Sequence, residues 1–273
     1  MSAGVTLPLS GATRLIAIIG DPIAQVKSPA GVTQELVARG CNVAVVPLHV
    51  APDEFDAVMH SLAKVQNLDG IIATVPHKFA AFTHCATTSP QAQLPGAANI
   101  LRRNTDGGWH GDMLDGKGFV AGIHRAGCMT QDKRALLAGA GGAGSAIALA
   151  LLEAGVAQLA IHDADAARRD TLIARLASRY PGKVVPGSND PQGFDVIANA
   201  TPMGMRAGDP YPVNVARLAP AMFVGDVITV PEVSPLLAAA RARGCATQTG
   251  VGMFREVQGL MIAFLLAAGR LRA

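Results

Sequence analysis

Residues 135–152 (ALLAGAGGAGSAIALALL) run for 18 positions without a charge. By length alone such a stretch could cross a bilayer. Its centre argues against that, because Gly139-Ala140-Gly141-Gly142-Ala143-Gly144 would break a continuous helix. The stretch reads instead as a buried strand, a glycine turn and a buried helix. A glycine hexapeptide is a weak signal alone, but between a strand and a helix it is a nucleotide-binding pattern. The glycines let the backbone approach a pyrophosphate, and the N–H groups at the helix start hold the phosphates. The residues placed to do so are Gly139, Gly141, Gly142 and Ala143.

The flanking sequence repeats this rhythm. Predicted strands cover residues 15–20, 42–47, 70–75, 134–138, 159–162, 183–185, 195–199 and 222–227. Predicted helices cover 28–38, 52–65, 145–154, 166–178 and 254–271, with Ser28 as N-cap of the first. Strands alternating with helices imply parallel pairing and an α/β fold. At 273 residues the chain is long for one core, so two domains are expected.

Composition excludes several classes. Half the residues are hydrophobic and 16% are charged, which suits a globular chain. A net charge of +3, no Lys/Arg run beyond two and few aromatics give no nucleic-acid footprint. Cys41, Cys85, Cys128 and Cys245 lie far apart, as expected of idle thiols in a reducing cytosol. The seven histidines include no H-x-x-x-H pair, so no metal site is expected. The N-terminus lacks the pattern of a signal peptide, and no membrane association is expected.

Asp163 follows a predicted strand and lies 24 residues after Gly139. At that spacing an acid accepts hydrogen bonds from the adenosine ribose hydroxyls and repels a 2′-phosphate. The cofactor expected is therefore NAD, favoured over NADP. The alternative for Asp163 is a helix N-cap. Arg168 and Arg169 read as solvated helix charges.

Thr74-Val75-Pro76-His77-Lys78 follows another predicted strand. Ligands of open α/β sheets bind at the carboxyl ends of strands, and a lysine there can exchange a proton with a ketone or hydroxyl oxygen.

Taken in order, several stretches resemble the shikimate dehydrogenases over nearly the whole chain. They are Gly20-Asp21-Pro22-Ile23, Ser28-Pro29, Thr74 to Lys78, Gly96-Ala97-Ala98-Asn99 and Gly111 to Phe119. Later come Gly139 to Ala143, Asn199 to Met205, Asp226 with Pro231, Ser234-Pro235-Leu236 and Gly250 to Met253. The resemblance implies an N-terminal α/β substrate-binding domain, residues 1–118 completed by 250–273, and a Rossmann domain over 119–249. The C-terminal helix is to pack back on the first domain. It also implies hydride transfer between NAD(P) and a hydroaromatic alcohol or ketone such as shikimate or quinate. Lys78 and Asp115 are the implied proton-transfer pair, with Ser28, Thr74, Asn99 and Gln258 toward the substrate. Asn199, Thr201, Met203 and Gly250 join the cofactor side. A cytoplasmic monomer or homodimer is expected.

Two aspartates compete for the catalytic place. Asn104-Thr105-Asp106 has the family's letters, but no Gly-Phe follows at the right distance. Asp115 has it, with Met113 and Leu114 replacing Asn and Thr. Asp106 reads as a turn residue.

Three departures fall around the substrate. The family's Ser-x-Ser is Val26-Lys27-Ser28 here, its tyrosine two residues before Pro231 is Thr229, and its glutamine seven residues after Gly250 is Val257. Gln258 comes one position late, about 100° around a helix. A retained reaction with altered substrate recognition is expected. The alternatives are a methylenetetrahydrofolate dehydrogenase-like enzyme and a non-catalytic nucleotide-binding relative.

Overall fold

The computed structural model describes residues 9–271. Backbone contacts divide the chain into two compact units. One comprises the described residues up to Leu114 with those from Gln258 onward, and the other is Asp115–Val257. The expected boundaries were 118/119 and 249/250. The observed ones fall at 114/115 and 257/258, the second of them inside the last helix.

The first unit begins with β1 (Arg14–Gly20), α1 (Ser28–Ala38), β2 (Val43–His49), α2 (Phe55–Leu62), β3 (Leu68–Ala73) and α3 (Lys78–Thr83). It continues with β4 (Thr87–Thr88), α4 (Pro90–Gln93), β5 (Ile100–Arg103) and β6 (Trp109–Asp112). The sheet order is β2-β1-β3-β5-β6-β4. Strands β2, β1 and β3 are parallel, and β3 is buried along its whole length, as a strand covered on both faces must be. The remainder departs from all-parallel pairing. β5 runs antiparallel to β3, and β6 antiparallel to β5. The link between β5 and β6 is too short for a crossover, so a hairpin is the only closure available.

Asp106 makes that hairpin turn. Its carboxylate accepts from the Gly108 N–H at 2.9 Å, and Gly107 takes a φ of +92°. The turn reading of Asp106 holds.

Arg103 shows how this unit is closed. It is 2% exposed, and its guanidinium donates to the carbonyls of Leu62, Ala63 and Val65 at 2.8–3.2 Å. Carbonyls at the end of α2 have no partner within the helix. The guanidinium also lies 4.6 Å from the Trp109 ring centroid. Arg103→Ala would leave those acceptors buried and open a cavity. We expect a loss of about 3 kcal/mol in unfolding free energy, read from urea midpoints. A loss under about 1 kcal/mol would contradict this.

The second unit holds α5 (Asp115–Arg125), β7 (Arg134–Ala138), α6 (Gly142–Glu153), β8 (Gln158–His162), α7 (Ala166–Ala177) and β9 (Val184–Pro186). Then come β10 (Val196–Asn199), β11 (Phe223–Asp226), α8 (Pro235–Ala242) and β12 (Ala246–Gln248). All pairs in this sheet are parallel, in the order β12-β11-β10-β7-β8-β9. This is the doubly wound arrangement, with strand order reversing beside β7. The charge-free stretch is β7, a glycine turn and α6, as its sequence implied.

The last helix, α9 (Gly250–Ala267), starts four residues before its predicted beginning. By length and composition it could cross a membrane, yet Met253, Val257, Met261, Ile262 and Leu265 are buried in the protein. Its later part lies against the first unit's sheet. A Cβ at Gly70 would come within 2.8 Å of Leu265, and Arg102 donates to the Phe264 carbonyl at 2.8 Å. The expected return of this helix to the first unit is therefore observed.

Candidate active site

Two sets of side chains collect at strand carboxyl ends, one in each unit. In the second unit, Gly139 follows β7 with a φ of +101°, and a Cβ there would be 2.9 Å from the Ala200 carbonyl carbon. Gly144 has no room for a side chain because the Gly139 carbonyl lies against it. Gly141 is different, since a Cβ there would meet nothing within 4 Å. Internal packing does not demand glycine at that position, whereas close approach of a ligand would. Gly141 is also the N-cap of α6, supplies no capping side chain, and no acid occupies the helix's first turn. The open helix start therefore fits a phosphate-bearing cofactor.

Asp163 lies beyond the end of β8 and is 8% exposed. One carboxylate oxygen accepts from the Ala140 N–H at 2.6 Å and from Arg168 Nε at 3.1 Å. The other accepts from the Asp165 N–H at 2.8 Å and Arg168 Nη2 at 2.6 Å. Burial by itself would raise this carboxyl's pKa. The Arg168 pair and the two backbone N–H groups outweigh burial and hold it below its ordinary value. Two readings are settled here. The N-cap of α7 is Asp165, which accepts from the Arg168 N–H, and not Asp163. Arg168 is not a merely solvated charge but the bidentate partner of Asp163. Arg169 pairs with the neighbouring Asp170.

Asn199 ends β10 and is 1% exposed. It was expected to line the cofactor. Its amide donates to Asp226 at 3.0 Å and accepts from both the N–H and the hydroxyl of Thr201. Asn199 thus shapes the loop that carries Thr201 and Met203.

In the first unit, Thr74 follows β3, and its N–H donates to the Ile19 carbonyl at 2.9 Å. His77 anchors the turn after it. The ring is 2% exposed, bonds the Val50 carbonyl at 2.8 Å and stacks on Phe55 at 4.4 Å. Burial pushes its pKa down, which keeps it neutral at pH 7. Lys78 is the next residue and the first of α3, partly exposed, with its carbonyl accepting from the Ala98 N–H at 2.9 Å. Beside it, the Asn99 carbonyl accepts from the Ala73 N–H, and the Asn99 side chain accepts from the Leu114 N–H at 3.0 Å. Asn99 therefore links the strand end that precedes Lys78 to the segment that leads directly into Asp115.

Ser28 is buried, but Lys27 occupies the N-cap position of α1 and no side chain caps it. The expected Ser28 cap does not form. Pro29 still lies in the first turn. Gln258 donates to the Gly31 carbonyl at 3.1 Å, three residues beyond Ser28 on the same helix. Despite its one-residue offset, it reaches the start of α1. Sequence reasoning missed the Asp21–His49 pair, 2.7 Å apart beyond β1 and at the end of β2. An aspartate directly after a strand end was the available signal.

A doubly wound unit with an open glycine turn, joined to a smaller α/β unit with a lysine at a strand end, defines an NAD(P)-dependent oxidoreductase. The first unit matches the shikimate dehydrogenase substrate binding domain over residues 18–101. The chain is 36% identical to the shikimate dehydrogenase (NADP(+)) of Acidiphilium cryptum (strain JF-5), over 90% of this chain and 87% of that one. It belongs to the shikimate dehydrogenase family. Among solved structures, quinate dehydrogenase from Corynebacterium glutamicum in complex with NAD is similar at a TM-score of 0.82 and 26% identity, covering 93% of this chain and 94% of that one. The 5-ketofructose reductase of Gluconobacter sp. strain CHM43 is similar at 0.81 and 27%, covering 97% and 96%.

Proposed function

We propose that this protein is an NAD-preferring dehydrogenase of a polyhydroxylated secondary alcohol, with Lys78 and Asp115 as its proton-transfer pair. The observation that carries the cofactor reading is Asp163, a carboxylate tied to the glycine turn through the Ala140 N–H. Placed there, it opposes a 2′-phosphate, and it accepts from ribose hydroxyls once Arg168, the exposed one of its present donors, gives way. The relative from Acidiphilium cryptum is named for NADP(+), and the Corynebacterium glutamicum structure holds NAD. Both dinucleotides therefore belong in the test.

A bound nicotinamide supplies the site that gives or takes hydride. The chain's own residues manage the proton. Lys78 holds the reacting hydroxyl and takes its proton, or returns it in reduction. Asp115 orients Lys78 toward that hydroxyl. Ser28, Thr74 and Gln258 hold the remaining hydroxyls.

The substrate reading keeps shikimate and quinate in view and adds uncharged polyols. Val26 stands where the family pattern has a serine, Thr229 where it has a tyrosine, and the Asp21 carboxylate lies close by in the chain. Fewer donors face a substrate carboxylate. The likeness to 5-ketofructose reductase favours this second class. The test follows absorbance at 340 nm with shikimate, quinate and a set of cyclic and open-chain polyols, each with NAD and NADP. Turnover of at least one alcohol, faster with NAD, is expected. No turnover beside an active control enzyme would leave the non-catalytic reading standing.

A further inference from the structure

Among the described acids Asp226 is the most completely buried, at 0% exposure. It ends β11 directly across from Asn199, its register partner at the end of β10. Among the described residues, the donors to it are neutral, the Val227 N–H included. Asn199 Nδ2 lies at 3.0 Å and the Ile228 N–H at 3.1 Å on one oxygen, with the Ser234 hydroxyl at 2.5 Å on the other. Ser234 in turn caps α8 by accepting from the Leu237 N–H. A buried carboxylate with only neutral partners costs stability. Burial pushes its carboxyl upward in pKa, and the donors pull against that.

Its use follows from what a carboxylate can and cannot do. The oxygen beside Asn199 also accepts from the Ile228 N–H, so it faces the amide as an acceptor. An asparagine amide can sit in either of two orientations, but beside Asp226 only its NH₂ can face the carboxylate. The Asn199 carbonyl must then face the other way, where it accepts from the Thr201 N–H at 3.0 Å and hydroxyl at 2.7 Å. Thr201 Oγ1 accepts from the Met203 N–H at 3.2 Å. Gly204 rests on the same hub, since a Cβ there would be 3.4 Å from Ile228 and from Pro235. The relay runs Ser234, Asp226, Asn199, Thr201, Met203.

We infer that Asp226 is a positioning residue: acting through Asn199, it holds the Thr201–Met203 loop in the form that receives the nicotinamide half of the cofactor. This rests on the dinucleotide-binding reading above. The glycine turn and Asp163 hold the other half; Gly139 packs beside Ala200 and Thr201, and no hydrogen bond among the described residues joins the turn to the relay.

The test uses the full chain and its isosteric variant Asp226→Asn, with binding of NAD and of ADP-ribose measured by calorimetry. ADP-ribose lacks the nicotinamide ring. The amide introduced by Asp226→Asn could orient either way, and so could that of Asn199. Expected is an NAD affinity about tenfold weaker with ADP-ribose affinity unchanged within about twofold. Equal weakening of both ligands, or no weakening of NAD, would overturn the inference. Should Asp226→Asn fail to fold, Ser234→Ala removes one end of the relay and is expected to give the same selective loss, about threefold. Equal losses there also overturn it. If the unaltered chain binds neither ligand, the dinucleotide reading fails along with the relay, a result distinct from equal weakening.

Discussion

Lys78→Ala is expected to lower kcat by about 10³-fold while NAD affinity stays within about twofold. Lys78 belongs to the first unit, whereas the glycine turn and Asp163 belong to the second. Losing the Lys78 amine therefore removes the proposed proton carrier without touching the glycine turn or Asp163. Asp115→Asn is expected to fall with it, because an amide does not orient the Lys78 amine as a carboxylate does. Asp106→Ala serves as the control. Its carboxylate is spent on the Gly108 N–H in an exposed hairpin turn, so turnover should stay within about twofold. Steady-state rates and calorimetric cofactor affinities decide the matter. Full activity in Lys78→Ala, or a loss in Asp106→Ala matching that in Asp115→Asn, would refute the assignment.

The second large effect concerns cofactor choice. Asp163→Ala is expected to weaken NAD binding about 30-fold and to strengthen NADP binding by a similar factor. Hydrogen bonds to a charged group contribute about 2 kcal/mol, which is near 30-fold in affinity. The gain for NADP has two sources. The carboxylate that repels the 2′-phosphate is gone, and Arg168 loses the partner that holds it at 2.6 Å. A guanidinium so released is suited to bidentate phosphate contact. Asp163→Ala combined with Arg168→Ala should lose most of the NADP gain. If NADP affinity does not rise in Asp163→Ala, or rises equally in the double variant, Arg168 has no part in selection.

What could be read from the chain alone follows the range of the forces involved. The charge-free stretch at residues 135–152 specified a strand, a turn and a helix because glycine conformation and apolar burial act within a few residues. The turn role of Asp106 was legible for the same reason, its acceptor and donor being two residues apart. The cap of α1 was not, although Ser28-Pro29 is a common start signal, because Lys27 took the boundary position and Ser28 became buried. The hairpin at Asp106 was legible, but the antiparallel pairing of β5 on β3 was not, because alternation of strands and helices lapses after α4.

The sequence by itself determined the α/β class, the glycine turn and which residues stand at strand ends. Only the tertiary structure decided what those ends do to one another. Arg103 reaches carbonyls about 40 residues back in the chain, Asp226 reaches Asn199 at a separation of 27, and Gln258 reaches Gly31 at a separation of 227. Such contacts depend on how strands are ordered and registered in the sheet. That order is set by the summed burial of many side chains, and no local propensity encodes it.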